Sequence, residues 1–187
     1  MPVPPSDASA ARLARIVRLS RIMAGVILVM IAGLPVLLVL VAVFGSGGVD
    51  GLLLEALNAP ATGSLDASSR AALLLLAAVP LGLTLCGLEI LRRLFLAFAQ
   101  GDILVPASGL RLKRIGIVVA CLAPVTILTR AAASVAATWS NPPGMRELAV
   151  GFGSSDLLAI IAGMLLVILG WALEEAARVA DENRQFV

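Results

Sequence analysis

A helix that crosses the hydrocarbon layer of a bilayer needs about 20 mostly apolar residues, and this sequence supplies four such runs. Met23–Phe44 carries no charge, and Ala71–Leu91 carries only Glu89, near its end. The third run starts at Ile115, is free of charge to Thr129 and is taken to about residue 134; extended to Thr138 it must also carry Arg130. The fourth is Leu157–Leu173, preceded by Ser154-Ser155-Asp156, which read as an N-cap and an acidic first turn. Composition points the same way: 60% of the 187 residues are hydrophobic and 14% charged, where soluble domains hold about half and a quarter. The expected fold is all-α, a polytopic four-transmembrane-helix bundle forming a single membrane domain.

Lys and Arg orient such runs, because they gather on the cytoplasmic side. Arg12, Arg15, Arg18 and Arg21 precede the first run; Arg92, Arg93, Arg111, Lys113 and Arg114 separate the second and third; Arg178 and Arg184 follow the fourth. These eleven stand against Arg70, Arg130 and Arg146 in the other two connections. Both termini and the middle connection are therefore expected in the cytoplasm, as a basic tail (1–22), a loop (92–114) and a C-terminal helix (174–187). The first run exceeds the roughly 7 to 15 apolar residues of a secretory signal and lacks an Ala-x-Ala site, so it reads as a retained anchor. Thirteen Arg against one Lys fit the codon usage of a GC-rich bacterium, and the expected location is a bacterial inner membrane.

The outer connections carry two local signals. Val49–Leu57 reads either as a short helix in the interface or as a loop packed on the bundle. Trp139 is an interfacial anchor, and Asn141-Pro142-Pro143-Gly144 is turn chemistry.

Within the spans, Pro35, Pro80 and Pro124 fall about 16 to 20 Å from the basic ends, near mid-membrane. Each removes a backbone donor, so they mark either a kinked, partly open centre or kinks that serve packing. Gly116 with Ala120, Ala159 with Gly163, and Gly163 with Gly170 share helix faces as close-packing seams. Glu89 has the spacing to pair with Arg92 and Arg93, and Arg130 either snorkels outward or pairs with Asp156. No acid occupies the midplane, which argues against an ion-coupled transporter.

Catalytic chemistry finds no foothold. Histidine and tyrosine are absent, and Cys86 and Cys121 lie apart in apolar runs without metal-ligand spacing. There is no phosphate loop of the Gly-x-x-x-x-Gly-Lys type, no His-Glu-x-x-His and no Gly-x-Ser-x-Gly. Neither a cofactor nor a metal is implied, and an enzyme is not expected. The basic stretch from Ala10 to Arg21 serves topology or attracts anionic lipid; direct nucleic-acid binding has no motif behind it.

Two stretches carry a resemblance. Phe98-Ala99-Gln100-Gly101-Asp102-Ile103-Leu104, followed by Leu110-Arg111-Leu112-Lys113-Arg114-Ile115-Gly116, resembles a loop of the form F-x-x-G-x-x-F/L … L-R-x-I-G. The ending from Glu175 to Val187 is similar to E-A-x-x-[IL]-A-x-E-N-x-x-F/T-V. Both patterns belong to the family called domain of unknown function 2975, small four-span bacterial membrane proteins, and the similarity runs from about Ile16 to Val187. Leu104 departs from the pattern, standing where an aromatic is frequent. The matching positions are Phe98, Gly101, Arg111, Ile115, Glu175, Ala176, Glu182 and Asn183. The resemblance implies no activity. Many members are encoded beside a small helix-turn-helix regulator, which implies a membrane partner for a transcription regulator.

Two readings follow. The first is a non-enzymatic module that docks a cytoplasmic partner on a rim formed by Phe98, Gly101, Arg111, Lys113, Arg114, Glu175, Glu182 and Asn183, residues that also suit a structural cap laying Glu182 and Asn183 on the basic loop. The alternative is a small-solute or lipid-binding bundle with a cavity at Pro35, Pro80 and Pro124.

Overall fold

The computed structural model describes residues 7–44, 50–57, 67–100, 106–139 and 148–185. Five helices follow in order: α1 (Asp7–Phe44), α2 (Asp50–Ala56), α3 (Ala67–Ala99), α4 (Pro106–Thr138) and α5 (Ser154–Gln185). All but α2 are long and apolar enough to cross a membrane, so the chain is an all-α, multi-pass four-helix bundle. At 1.5 Å per residue, the 32 residues of α5 span about 48 Å, against about 30 Å of hydrocarbon. The helices therefore continue well past the apolar runs. The expected loop over 92–114 is mostly helix: α3 reaches Ala99, and α4 restarts at Pro106, whose missing N–H and fixed φ suit a first helical position.

Neighbouring helices run antiparallel. Gly87 of α3 meets Val118 of α4, and Gly109 and Gly116 of α4 meet the backbone of α5 around Gly170 and Gly163. The end of α3, the start of α4 and the end of α5 thus share one end; the arginines that start α1 assign it to the same end, because basic residues gather on one side of a membrane, and eleven basic residues then fall there. We call it the basic rim, and the opposite end the far rim. In space the order is α1, α3, α4, α5, each packed on the next, so α1 and α5 form the two edges of an open array.

Each edge helix shows how it is held. On α1 the buried and half-buried positions described are Val17, Ser20, Ala24, Ile27, Ile31, Leu34, Pro35 and Leu38; Pro35 apart, they fall alternately three and four apart. That period of 3.5 is a coiled-coil seam, one stripe wide, and the rest of the helix faces outward. On α5 the fully buried positions are Asp156, Gly163, Gly170 and Ala177, each seven residues after the last. On α4 the answering set is Gly109, Gly116, Ala123 and Arg130, again seven apart. A seven-residue repeat kept over this length keeps the same two faces opposed from one rim to the other.

The seam leaves no room for side chains. A Cβ on Gly163 would lie 2.5 Å from the Ala120 nitrogen, and one on Gly116 would lie 2.6 Å from the Gly163 oxygen. One on Gly170 would lie 2.7 Å from the Lys113 nitrogen, and one on Gly109 would lie 2.6 Å from the Glu174 nitrogen. The helices meet backbone to backbone. Because lipid is as apolar as leucine, such close approach is what drives helices together in a bilayer.

Of the stretch Val49–Leu57, Asp50–Ala56 is the short helix α2, packed on the bundle, and Val49 lies outside the described residues. Leu53, Leu54 and Leu57 are buried with Leu73 of α3 and with Ala133 and Ala137 of α4, closing the far rim over those two helices.

Candidate functional site at the two rims

The far rim is closed by an ion pair. Arg130 Nη2 lies 2.5 Å from Asp156 Oδ2, with the Asp156 side chain only 5% exposed. The same carboxylate accepts the Gly153 N–H at 2.8 Å and the Thr126 hydroxyl at 3.3 Å. Gly153 also accepts the first amide bonds of α5, from Asp156 and Leu157. The N-cap is therefore Gly153 rather than Ser154, and Asp156 is the third helical residue reaching back to the cap amide, as in one half of a capping box. Arg130 does not snorkel away. It forms the last layer of the α4–α5 seam, where glycine gives way to an opposed pair of charges. Beside it, Ser134 is buried and its hydroxyl accepts the Ala149 N–H at 2.9 Å, which ties the strand-like stretch before α5 to the end of α4.

Two depressions open at this rim. One, of about 260 Å³, is lined by Arg130 and by Ala149, Gly151, Phe152 and Gly153; the Arg130 Nε is buried and has no partner among the described residues. The other, of about 360 Å³, lies between the start of α3 and the end of α4, beside Ser68, Ser69 and Trp139. The prolines sit elsewhere and differ from one another. Pro35 and Pro80 are half-buried, while Pro124 is exposed on the lipid-facing side of α4. The Pro80 carbonyl accepts the Thr84 hydroxyl at 2.8 Å, which occupies it locally.

The basic rim is an assembly of helix ends. On α3, Glu89 binds Arg92 Nε at 2.8 Å and Arg93 Nε at 2.8 Å, so one carboxylate holds two guanidinium groups along the helix. Phe98 is half-buried and meets Phe95 edge-to-face, with ring centroids 6.4 Å apart. On α4, Arg111 is half-buried and Arg114 exposed, while Lys113 sets its ammonium 5.3 Å from the centre of the Trp171 ring on α5. That contact stacks a cation on an aromatic face at a depth typical of interfacial tryptophan.

Past Trp171, α5 continues without a break. Glu175 binds Arg178 at 2.6 Å, and Glu182 approaches Arg178 at 3.9 Å. Both glutamates are exposed, and both engage their own helix. The structural-cap reading, which lays Glu182 and Asn183 on the middle loop, falls partly on residues outside those described, since 101–105 are among the latter. α5 packs beside Gly109 of α4 through Gly170 and Glu174 and continues to Gln185, past the start of α4 at Pro106. Gly101 lies outside the described residues, as does the side chain of Asn183.

No family model, no curated protein and no solved structure matches this chain.

The rims can therefore be told apart by their chemistry. The far rim holds a buried ion pair, Arg130 with Asp156. The basic rim keeps Arg111, Arg114, Glu175 and Glu182 at or near the surface on helix ends, an arrangement suited to recognition.

Sequence reasoning found the ion pair only as one of two options for Arg130. It missed that Arg130 and Asp156 continue the heptads of Gly109–Gly116–Ala123 and Gly163–Gly170–Ala177. The spacing of seven was the available signal.

Proposed function

We propose that this chain is a non-enzymatic membrane module that docks a cytoplasmic protein on its basic rim. The observation that carries this reading is the continuation of α3, α4 and α5 past the apolar layer as unbroken helices. They present Phe98, Arg111, Lys113, Arg114, Glu175 and Glu182 at fixed helical positions. Charges of both signs at fixed positions give a partner orientation as well as attraction. The cytoplasmic placement rests on the excess of basic residues at this end. The resemblance to the domain of unknown function 2975 family makes a helix-turn-helix regulator the partner to try first, with a bacterial inner membrane as the setting.

The alternative, a solute or lipid cavity at the proline level, has less behind it. The α4–α5 seam is in backbone contact up to Ala120 and Gly163, Ala123 beyond it is buried, and Pro124 faces outward.

Affinity capture from detergent tests the docking reading. The wild-type chain should recover a soluble partner, and Arg114→Glu or Glu182→Lys should reduce recovery at least about tenfold, as expected for reversing a rim charge against a complementary one. If the wild-type chain recovers no soluble protein, or if neither reversal alters recovery, the proposal fails. Reporter fusions after Leu57, Gln100, Pro142 and Val187 check the orientation, and a cytoplasmic reporter at Leu57 would overturn it.

A further inference from the structure

The start of α1 carries a basic face that the docking reading leaves unused. Arg18 and Arg21 stand with Ala14, Val17 and Ile22 on one open face of the helix. Both arginines are exposed and lie three residues apart on one side of the helix. The ion pairs of this rim are made elsewhere: Glu89 is taken by Arg92 and Arg93, and Arg178 serves Glu175 and Glu182. Among the described residues neither Arg18 nor Arg21 has an acidic partner.

Depth along the helix narrows the ligand. The charge-free run begins at Met23, so the two guanidinium groups stand where α1 enters the apolar layer. One turn deeper on the same side is Gly25, where an added side chain would meet nothing within 4 Å. The backbone there is bare, and no neighbouring helix covers it. A paired positive charge at the surface above an open apolar strip matches a molecule that is anionic at its head and apolar below.

We propose that this face of α1 binds one anionic phospholipid from the leaflet at the basic rim. Its phosphodiester lies between Arg18 and Arg21, whose planar forks match phosphate oxygens. Ala14, Val17 and Ile22 line the glycerol region, and an acyl chain descends past Gly25. This inference is independent of docking at the ends of α3, α4 and α5.

The test uses the full chain in nanodiscs of equal phosphatidylglycerol and phosphatidylcholine, with retained lipid counted by native mass spectrometry. The wild type should retain phosphatidylglycerol in preference. Arg18→Gln with Arg21→Gln should lower that preference about 25-fold, at about fivefold for each basic residue near a membrane surface. Arg93→Gln with Arg178→Gln removes the same charge elsewhere on the rim and should lower it far less. Equal retention of the two lipids by the wild type overturns the proposal, as does an equal fall in both double variants. Displacement by inorganic phosphate also overturns it, since the site would then take a soluble anion. Should the glutamine variant lose helicity, Arg18→Ala with Arg21→Ala, which favours the helix, decides: a lost preference supports the site, and a kept one contradicts it.

Discussion

Along the α4–α5 seam every seventh residue is glycine, alanine or one of a paired Arg and Asp, and the helices touch through their backbones; along the α1–α3 seam the stripe is Val17, Ala24, Ile27, Ile31 and Leu34, and contact is through side chains. Both pairs are apolar helices in the same bilayer. Hydrophobicity therefore does not distinguish them, because lipid satisfies an apolar side chain as well as a helix does. The difference lies in how near the backbones come and in what polar groups are left to satisfy. The α4–α5 pair has both advantages, since it is close over its length and is locked at one end by Arg130 and Asp156. The α1 edge has one stripe of ordinary packing, and its own glycines, Gly25 and Gly33, face open space. We read α4–α5 as the rigid hairpin on which the rest is assembled.

Substitutions in the hairpin should damage the protein in a definite order. Gly116→Ile comes first, because its side chain would start 2.6 Å from the Gly163 oxygen and 2.7 Å from the Val167 nitrogen. Parting the helices should lower stability by at least about 3 kcal/mol, the upper end of overpacking effects, read by steric-trap unfolding in bicelles. A loss below that of an ordinary core substitution would mean that the seam is looser than described. Asp156→Ala comes next. It strands Arg130 and releases the Gly153 amide, and should destabilise by about 2 kcal/mol, less than a fully buried pair because Arg130 borders a depression. Adding Arg130→Met should recover part of that loss in a double-mutant cycle. Without recovery, the two charges are not coupled.

Ser134→Ala should have the smallest effect of the three, about 1 kcal/mol for one hydrogen bond lost by a backbone amide. Its signature is local, namely faster hydrogen exchange at Ala149 with exchange in the middle of α4 unchanged. Unchanged exchange at Ala149 would show that the bond to Ser134 does not hold this stretch.

Much of this difference can be read from the chain itself. Four helices follow from four apolar runs, and Gly163 and Gly170 announce a close face by their spacing. What the runs do not show is where the helices end, because hydropathy reports the lipid and not the helix. Residues 92–99 and 106–114 are charged or mixed, yet they continue α3 and α4 by good helix propensity and by the packing of Leu94, Ala97, Ser108 and Gly109. The short helix α2 stood between two readings until Leu53, Leu54 and Leu57 were seen to bury against Leu73 and Ala133. Pairing of Arg130 with Asp156 depends on the register of two helices, which no single helix encodes. At the basic rim the charges were legible, but their partners were not. Glu182 satisfies itself along its own helix with Arg178.

One paired measurement decides whether α4–α5 is the organising hairpin: the unfolding free energies of Gly163→Ala and Gly25→Ala in the same lipid. The same methyl group is added in both, so helix propensity shifts both alike, by up to about 1 kcal/mol in favour of alanine. Gly163→Ala places that methyl 2.5 Å from the Ala120 nitrogen, and Gly25→Ala places it in open lipid. The hairpin predicts a clear loss for Gly163→Ala and no loss, or a slight gain, for Gly25→Ala. Equal changes in the two variants would contradict it.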